Sequence, residues 1–455
     1  MTPNPDLSIF KDYDIRGVYP IQINSAIAAK IAHAMARHFR PKSVAICRDM
    51  RLSGEEIRDA LATTFITLGV DVYDAGLAGT EIQYFIAGTC SYDLVLMISA
   101  SHNPPEYNGL KVALKGPVAV TSSSGLYAVR DLLGQPPLPD APTPGKKTSI
   151  DVFDGWKKKI ISLVNIASLK PLSIVVDAGN GMAGKLVPIV FNEMPFTVTP
   201  LYFQLDGRFP NHVPNPLIEK NTETLRKKVV ETNAAVGFAF DGDADRTFLV
   251  DDRGRMVSGT ITTALLTMYL LKKNPGATIL YNAICGRIVP QIVENLEGKS
   301  KRVRVGHSYI KQYMKETGAI FAGEHSGHYY YRDYFMAESG VLTVLMILEL
   351  LSGEDKPLSV LVDELNVYPA SGEINFAVSD ATRVIEEIKK THADAETIDE
   401  LDGVSVWYKN YWFNVRASKT EPLLRLNVEA DDVHTLDMVK KKLVEEITNL
   451  GGKKE

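Results

Sequence analysis

Three aspartates at alternate positions stand in the run Asp241-Gly242-Asp243-Ala244-Asp245-Arg246, directly after an apolar stretch. Carboxylates packed so closely repel one another unless a cation neutralises them or the turn is fully solvated. All-oxygen ligands select a hard cation, magnesium before zinc. The carboxyl end of a buried strand is also where open α/β sheets place their sites. A solvated acidic turn would use the same residues. A calcium loop of the EF-hand sort fits less well, because Arg246 stands where that loop needs glycine and Asp252 where it needs a bidentate glutamate.

A second segment follows the apolar run Leu94–Ser99: Ala100-Ser101-His102-Asn103-Pro104-Pro105-Glu106-Tyr107-Asn108-Gly109. A serine at the end of a buried strand, followed by histidine, can act as a nucleophile beside a base, although neighbours in sequence need not hydrogen-bond. The NPPEYNG stretch forces a turn, and Lys111 brings positive charge to the same loop. A third segment is Gly323-Glu324-His325-Ser326-Gly327-His328, where Glu324 and Ser326 can exchange hydrogen bonds with vicinal sugar hydroxyls. Metal binding or a plain turn remains open there. In the fourth, Arg416-Ala417-Ser418-Lys419-Thr420-Glu421-Pro422, four donors within five residues suit a phosphate. Charge-assisted bonds of this kind contribute about 1.5–3 kcal/mol each, and arginine adds bidentate geometry. Tyr13 and Arg16, in FKDYDIRG, are ambiguous on their own.

The elements that position these segments follow from apolar patterning. Val44–Cys47, Val70–Tyr73 and Leu94–Ser99 read as buried strands, with a helix over Gly54–Leu68. Strands alternating with helices predict a parallel α/β sheet covered on both faces. A second such unit runs from the strand Ser173–Val176 and its DAGNGMAG turn to the strand Val236–Phe240. A third holds a helix near Ile261–Leu271, the strand Thr278–Tyr281 and the helix Gly340–Leu351. Beyond these, Ile374–Val378, Val404–Tyr408, Tyr411–Val415 and Leu424–Val428 read as antiparallel strands, with helices at Ala381–Thr391 and Val433–Asn449. Pro136 to Pro144 suits a linker or a surface loop. No internal repeat is legible in the sequence.

Composition narrows the function classes. A chain of 455 residues, 45% hydrophobic and 23% charged, needs several cores. A formal charge of −5 leaves no basic surplus to neutralise a nucleic-acid backbone, so DNA and RNA are not expected partners. Cys47, Cys90 and Cys285 read as buried, reduced thiols rather than a disulfide framework. The N-terminus lacks a signal-peptide pattern, and Val341–Leu351 is too short to span a bilayer. A cytoplasmic protein without membrane partners is expected.

Taken in order, FKDYDIRG, CRDMRLSG, SASHNPPEYNGLKV, VVDAGNGMAG, FPNHVPNPL, FDGDADR, GHSYIK, GEHSGH and RASKTEP resemble the α-D-phosphohexomutase superfamily, most nearly its phosphomannomutase/phosphoglucomutase type, over essentially the whole chain. The resemblance implies three related α/β domains with mixed sheets plus a smaller C-terminal α+β domain, set around a central cleft. The expected boundaries are 1–145, 146–253, 254–366 and 367–455. It implies that Ser101 is the phosphoserine and that its phosphate, with Asp241, Asp243 and Asp245, holds one Mg²⁺ per chain. His102, Lys111 and Arg246 would contact the transferring phosphoryl group or its acceptor. Glu324 and Ser326 would read sugar hydroxyls. Arg416, Ser418, Lys419 and Thr420 would grip the distal phosphate, with Tyr13, Arg16, His307 and His328 lining the cleft. The activity implied is interconversion of hexose 1-phosphate and hexose 6-phosphate, of mannose or glucose, with a hexose 1,6-bisphosphate as intermediate and activator.

One position departs from the pattern. Where the family commonly carries Asp-Val-Lys-Cys, this chain has Asn282-Ala283-Ile284-Cys285, so a cleft lysine is replaced by Ile284. A non-catalytic or weakly active sugar-phosphate binder and a phosphoglucosamine mutase are the nearby alternatives. A phosphatase with an aspartyl nucleophile is disfavoured, because its Asp-x-Thr/Val motif near the chain start is missing.

Overall fold

The computed structural model describes residues 5–418 and 423–455, which form two compact units, Met1–Val257 with Ser326–Ser359 and Ser258–His325 with Val360–Glu455.

The first unit holds two mixed sheets. In one, Ser43–Arg48 lies between Asp71–Leu77 and Leu94–Ile98, all parallel; Tyr107–Leu114 pairs antiparallel with Leu94–Ile98, and Ile15–Val18 follows it as an antiparallel edge. In the other, Leu172–Asp177 lies between Phe196–Leu201 and Val236–Phe240 in parallel, with Thr247–Asp251 antiparallel beyond. Leu94–Ile98 and Val236–Phe240 are buried at every residue, as strands covered on both faces must be. The helix Gly54–Thr67 forms where its apolar spacing predicts it. The expected helix from Gly340 runs Gly340–Gly353, capped by the Ser339 hydroxyl and apolar on all sides, so it is buried on all sides. Among its neighbours, Glu349 accepts from Asn165 N at 3.0 Å and Ser352 from Lys170 N at 3.0 Å.

The stretch Pro136–Pro144 is a surface loop. Ala141 N donates to Thr67 O at 2.9 Å and Leu138 N to His33 Nδ1 at 3.2 Å, after which Lys147–Ser149 joins the first sheet beside Asp71–Leu77. The turn expected across NPPEYNG is shorter than its composition suggests. Tyr107, Asn108 and Gly109 already belong to a strand, and Gly109 serves there because a Cβ would lie 2.0 Å from Ile15 O on the neighbouring strand.

In the second unit, Thr278–Asn282 lies between Lys299–Val303 and Phe321–Gly323 in parallel, with the helices Gly259–Lys273, Ile288–Asn295 and His307–Thr317. Its C-terminal part is an antiparallel sheet ordered Thr397–Asp399, Val404–Trp407, Tyr411–Ala417, Leu423–Ala430, Ala370–Ala377, Lys453–Lys454. The helices Ala381–Thr391 and Val433–Asn449 close a core around Phe376, Phe413, Ile388 and Ile447. Arg287 joins the two parts by donating to Glu429 and Asp431, each at 2.8 Å, and Arg302 donates to Asp399 at 2.5 Å.

All three parallel cores share one order: the second strand in sequence, then the first, then the third. In that order the crossover direction reverses between the first and third strands, so the crevice at their carboxyl ends is the natural binding place. Ser101, Asp241 and Glu324 each stand just past the carboxyl end of a third strand. Cys47 and Cys285 are buried free thiols, while Cys90, at a helix end, is half-buried. Among the described residues no helix is long and apolar enough to cross a membrane.

Candidate active site

Ser101 leaves the strand Leu94–Ile98 in the left-handed region, with φ 51°, and is 1% exposed. A non-glycine residue there is held by its surroundings. Its hydroxyl donates to Asp241 Oδ2 at 2.8 Å, joining the first sheet's loop to the second's across 140 residues of sequence. His102 Nδ1 lies 3.1 Å from the same oxygen, so the neighbouring pair does make contact. Ser99 Oγ accepts from Ser101 N at 2.8 Å and donates to Asp243 Oδ2 at 3.2 Å.

The acidic turn is closed over by close backbone approach. Gly242 is required, since a Cβ would sit 2.5 Å from Ser101 O. Met182 N donates to Gly242 O at 2.8 Å, which explains the DAGNGMAG turn as a support for the aspartates. Lys111 Nζ donates to Asp243 Oδ2 at 2.7 Å and Asp245 Oδ2 at 2.6 Å. Thr80 Oγ1 donates to Asp243 Oδ2 at 2.6 Å. Arg246 Nε lies 3.6 Å from Asp241 Oδ2.

These charges set the ionisation pattern. Burial, then the Asp245 and Asp243 charges, push the Asp241 carboxyl well above the usual carboxylate range. Burial opposes the charge on Asp243 as well, but Lys111 overrides it and holds that carboxyl well below the usual range. Burial works against the Lys111 ammonium, and Asp243 and Asp245 nevertheless raise it above the ordinary lysine value. His102 is driven far below the ordinary histidine value by burial and then by Arg246.

A cation fits this cage. Asp241, Asp243 and Asp245 are buried, and each offers a ligand atom within 4.8 Å of the others. Asp243 Oδ1 and Asp245 Oδ1 are buried and accept no hydrogen bond among the described residues. Buried carboxylate oxygens left so are costly, and a hard divalent cation is the partner that removes the cost.

The second half of GEHSGH packs on the same turn. Thr247 N donates to Gly327 O at 3.1 Å, and Arg246 Nε donates to His328 Nε2 at 3.1 Å. With Nε2 accepting, Nδ1 carries the proton and faces Ser326 Oγ at 3.2 Å. Arg16 joins the serine loop by donating to Asn103 Oδ1 at 2.6 Å, and pairs with Asp14 at 2.5 Å. Tyr13 is half-buried just before the strand Ile15–Val18, which carries Arg16.

The remaining expected residues lie in the second unit. Glu324, 2% exposed, accepts at Oε1 from Asn282 Nδ2 and from Gly306 N, both at 3.3 Å. His307 follows Gly306 at the start of its helix, and Ile284 is buried at 5% exposure. Arg416 donates to Glu373 Oε2 at 3.1 Å, and Glu373 also lies 3.4 Å from Arg425. Ser418 N donates to Leu423 O at 2.8 Å. Lys419 and Thr420 lie outside the described residues. His325 and His328 join no group of metal-ligating side chains among the described residues.

Sequence reasoning overlooked Thr80, Ser99 and Arg51. Arg51, 1% exposed, donates to four carbonyls of the serine loop, those of Ser101, Asn103, Pro104 and Tyr107, at 2.6–2.9 Å. Its signal was the CRDMRLSG run, whose role no spacing rule reveals.

Comparison with known proteins places this geometry. The chain matches the phosphoglucomutase/phosphomannomutase alpha/beta/alpha domain I over residues 7–126, domain II over 154–254, domain III over 258–368 and the C-terminal domain over 373–446. It is 36% identical to the phosphohexose mutases of Xanthomonas campestris pv. campestris over 93% of this chain and 95% of that one. It is 35% identical to the phosphomannomutase of Methanocaldococcus jannaschii over 98% of each. A crystal structure of a phosphoglucomutase/phosphomannomutase family protein from Burkholderia thailandensis superposes with a TM-score of 0.90 at 30% identity, covering 99% of this chain and 100% of that one. The chain therefore belongs to the phosphoglucomutase/phosphomannomutase family and is a phosphohexomutase, an isomerase of carbohydrate metabolism.

Proposed function

We propose that the protein interconverts hexose 1-phosphate and hexose 6-phosphate, of mannose or glucose, by carrying a phosphoryl group on Ser101. The observation that supports this reading most is the 2.8 Å bond from the Ser101 hydroxyl to Asp241, which sets a buried serine oxygen against the acidic cage.

Asp241, Asp243 and Asp245, with the phosphate on Ser101, would hold a magnesium ion, which when bound supplies positive charge to the phosphoryl oxygens. Phosphoryl transfer needs in-line positioning and neutralised equatorial oxygens more than covalent help. Arg246, His102 and Lys111 stand around the Ser101 oxygen and the aspartates, and would contact the transferring group. In the first transfer the Ser101 oxygen–phosphorus bond breaks as a sugar oxygen–phosphorus bond forms, and the sugar hydroxyl's proton ends on the serine oxygen. The resulting hexose bisphosphate turns end for end. Its other phosphate then returns to Ser101 with the proton moving back, so none is gained or lost overall.

A substrate accepted in two directions must be held by features common to both. Glu324 and Ser326 would take the hydroxyls; Arg416, Ser418, Lys419 and Thr420 would take the distal phosphate; Tyr13, Arg16, His307 and His328 would complete the contacts. A coupled isomerisation assay on mannose 1-phosphate and glucose 1-phosphate, started with a trace of hexose 1,6-bisphosphate, tests the activity. Intact-protein mass spectrometry tests the mechanism: one phosphoryl addition should vanish in Ser101→Ala. A modification that persists in that variant would overturn it.

A further inference from the structure

We propose that Arg51, its charge balanced by Asp49, is a positioning residue for Ser101: its guanidinium fixes the inner edge of the serine loop and so sets where the serine oxygen points. The proposal rests on the reading that Ser101 carries the phosphoryl group.

Arg51 stands just past the strand Ser43–Arg48, which neighbours the strand that delivers Ser101. One guanidinium nitrogen donates to Ser101 O at 2.9 Å and Asn103 O at 2.6 Å. The other donates to Pro104 O at 2.7 Å and Tyr107 O at 2.9 Å. Asp49, fully buried, lies 3.3 Å from Arg51 Nε and accepts from Arg51 N at 2.9 Å. The Phe209 ring covers the guanidinium at 5.1 Å.

The consequence concerns one residue's dihedral angles. Ser101 N is held by Ser99 Oγ on one side of its Cα, and Ser101 O by Arg51 on the other. Both peptide planes flanking Ser101 are thereby pinned, which fixes φ and ψ in the sparsely populated left-handed region. Only the planar fork of an arginine presents enough fixed N–H donors to satisfy four converging carbonyls. Lysine offers charge without that plane. A fully buried Asp–Arg pair turned on backbone carbonyls serves geometry rather than substrate binding.

Two variants of the full chain test this with magnesium present. Arg51→Lys keeps the charge and loses the fork. Asp49→Leu combined with Arg51→Met removes the pair and keeps apolar volume, which often preserves stability. A loop displaced by about 1 Å costs on the order of 100-fold in rate. The expected result in a folded variant is a kcat reduced about 100-fold, KM within about twofold, and phosphoryl uptake on Ser101 from hexose 1,6-bisphosphate slowed to a similar extent by intact mass. Amide exchange over residues 99–108 should quicken in the same variants. Wild-type kcat in a folded variant overturns the proposal, as does a loss confined to KM. Failure of both variants to fold overturns it too, since the pair would then serve the fold and not the loop. A wild-type chain that turns over substrate without phosphate on Ser101 overturns the underlying reading instead.

Discussion

Replacing Lys111 by methionine keeps most of the side-chain length and removes an ammonium that touches two of the three buried aspartates. Lys111 and Arg246 set two positive charges against the triad, so the variant leaves one more negative charge uncompensated than the wild type does. The partner carboxylates are at most 1% exposed, so water cannot take over. Breaking a buried pair from one side costs about 3–5 kcal/mol. The Coulomb estimate for one contact at about 4 Å and an effective dielectric of about 20 is about 4 kcal/mol, in the same range. At roughly 2 °C per kcal/mol for a large unit, the metal-free melting temperature should fall by about 6–10 °C. A cation bound at 100 times its Kd adds about 2.7 kcal/mol to either protein, and the variant, with more negative charge in its cage, should bind it more tightly and regain more. The assay is thermal unfolding followed by circular dichroism, with EDTA and across a magnesium titration. A variant that melts with the wild type in EDTA, or that gains no more than the wild type from magnesium, would refute the view that Lys111 balances the aspartates.

Further predictions address neighbouring parts of the site. Asp243→Asn should abolish magnesium-dependent turnover while the circular dichroism spectrum is retained; undiminished turnover would remove that residue from the cation cage. Arg416→Ala should raise KM for the hexose monophosphate by roughly 10- to 100-fold, the loss of one charge-assisted contact, and leave weak binding of the free sugar unchanged in calorimetry. Gly242→Ala should lower kcat by about 100-fold, because the added methyl meets Ser101 O at 2.5 Å and must push the serine loop away. Glu81 is fully buried, and burial raises its carboxyl to about 8. Its folded value exceeds its unfolded one, so the folded state holds the proton longer, and stability falls as pH rises from about 4.5 to about 8. Glu81→Gln should therefore gain melting temperature over wild type as pH climbs through that window, and a constant difference would be the contrary result.

Much of this was written locally in the sequence. Leu94–Ser99 and Val236–Phe240 are short apolar runs bounded by turn residues, and the structure makes them buried strands feeding the serine and the aspartates. Ala381–Thr391 and Val433–Asn449 were legible to the residue, since Asp380 and Asp432 cap helices with clear apolar stripes. The shared strand order of the three parallel cores was not legible, because any apolar run satisfies a buried strand and order leaves no mark on composition. Arg51 was invisible for a related reason: its four partners are backbone carbonyls some 50 residues away, and a carbonyl has no letter in the sequence. Thr80 reads as an ordinary helix start, yet its hydroxyl serves Asp243 across 163 residues.

The helix Gly340–Gly353 belongs to the same compact unit as residues 1–257, although the chain makes all of 258–325 in between. On a ribosome, the second sheet must wait for that apolar rod, with the surface around Thr247–Asp251 bare until it emerges. A fragment cut at residue 257 should therefore be sticky and call on chaperones, whereas a fragment carrying residues 326–359 on a short tether in place of the excursion should express as a well-behaved piece.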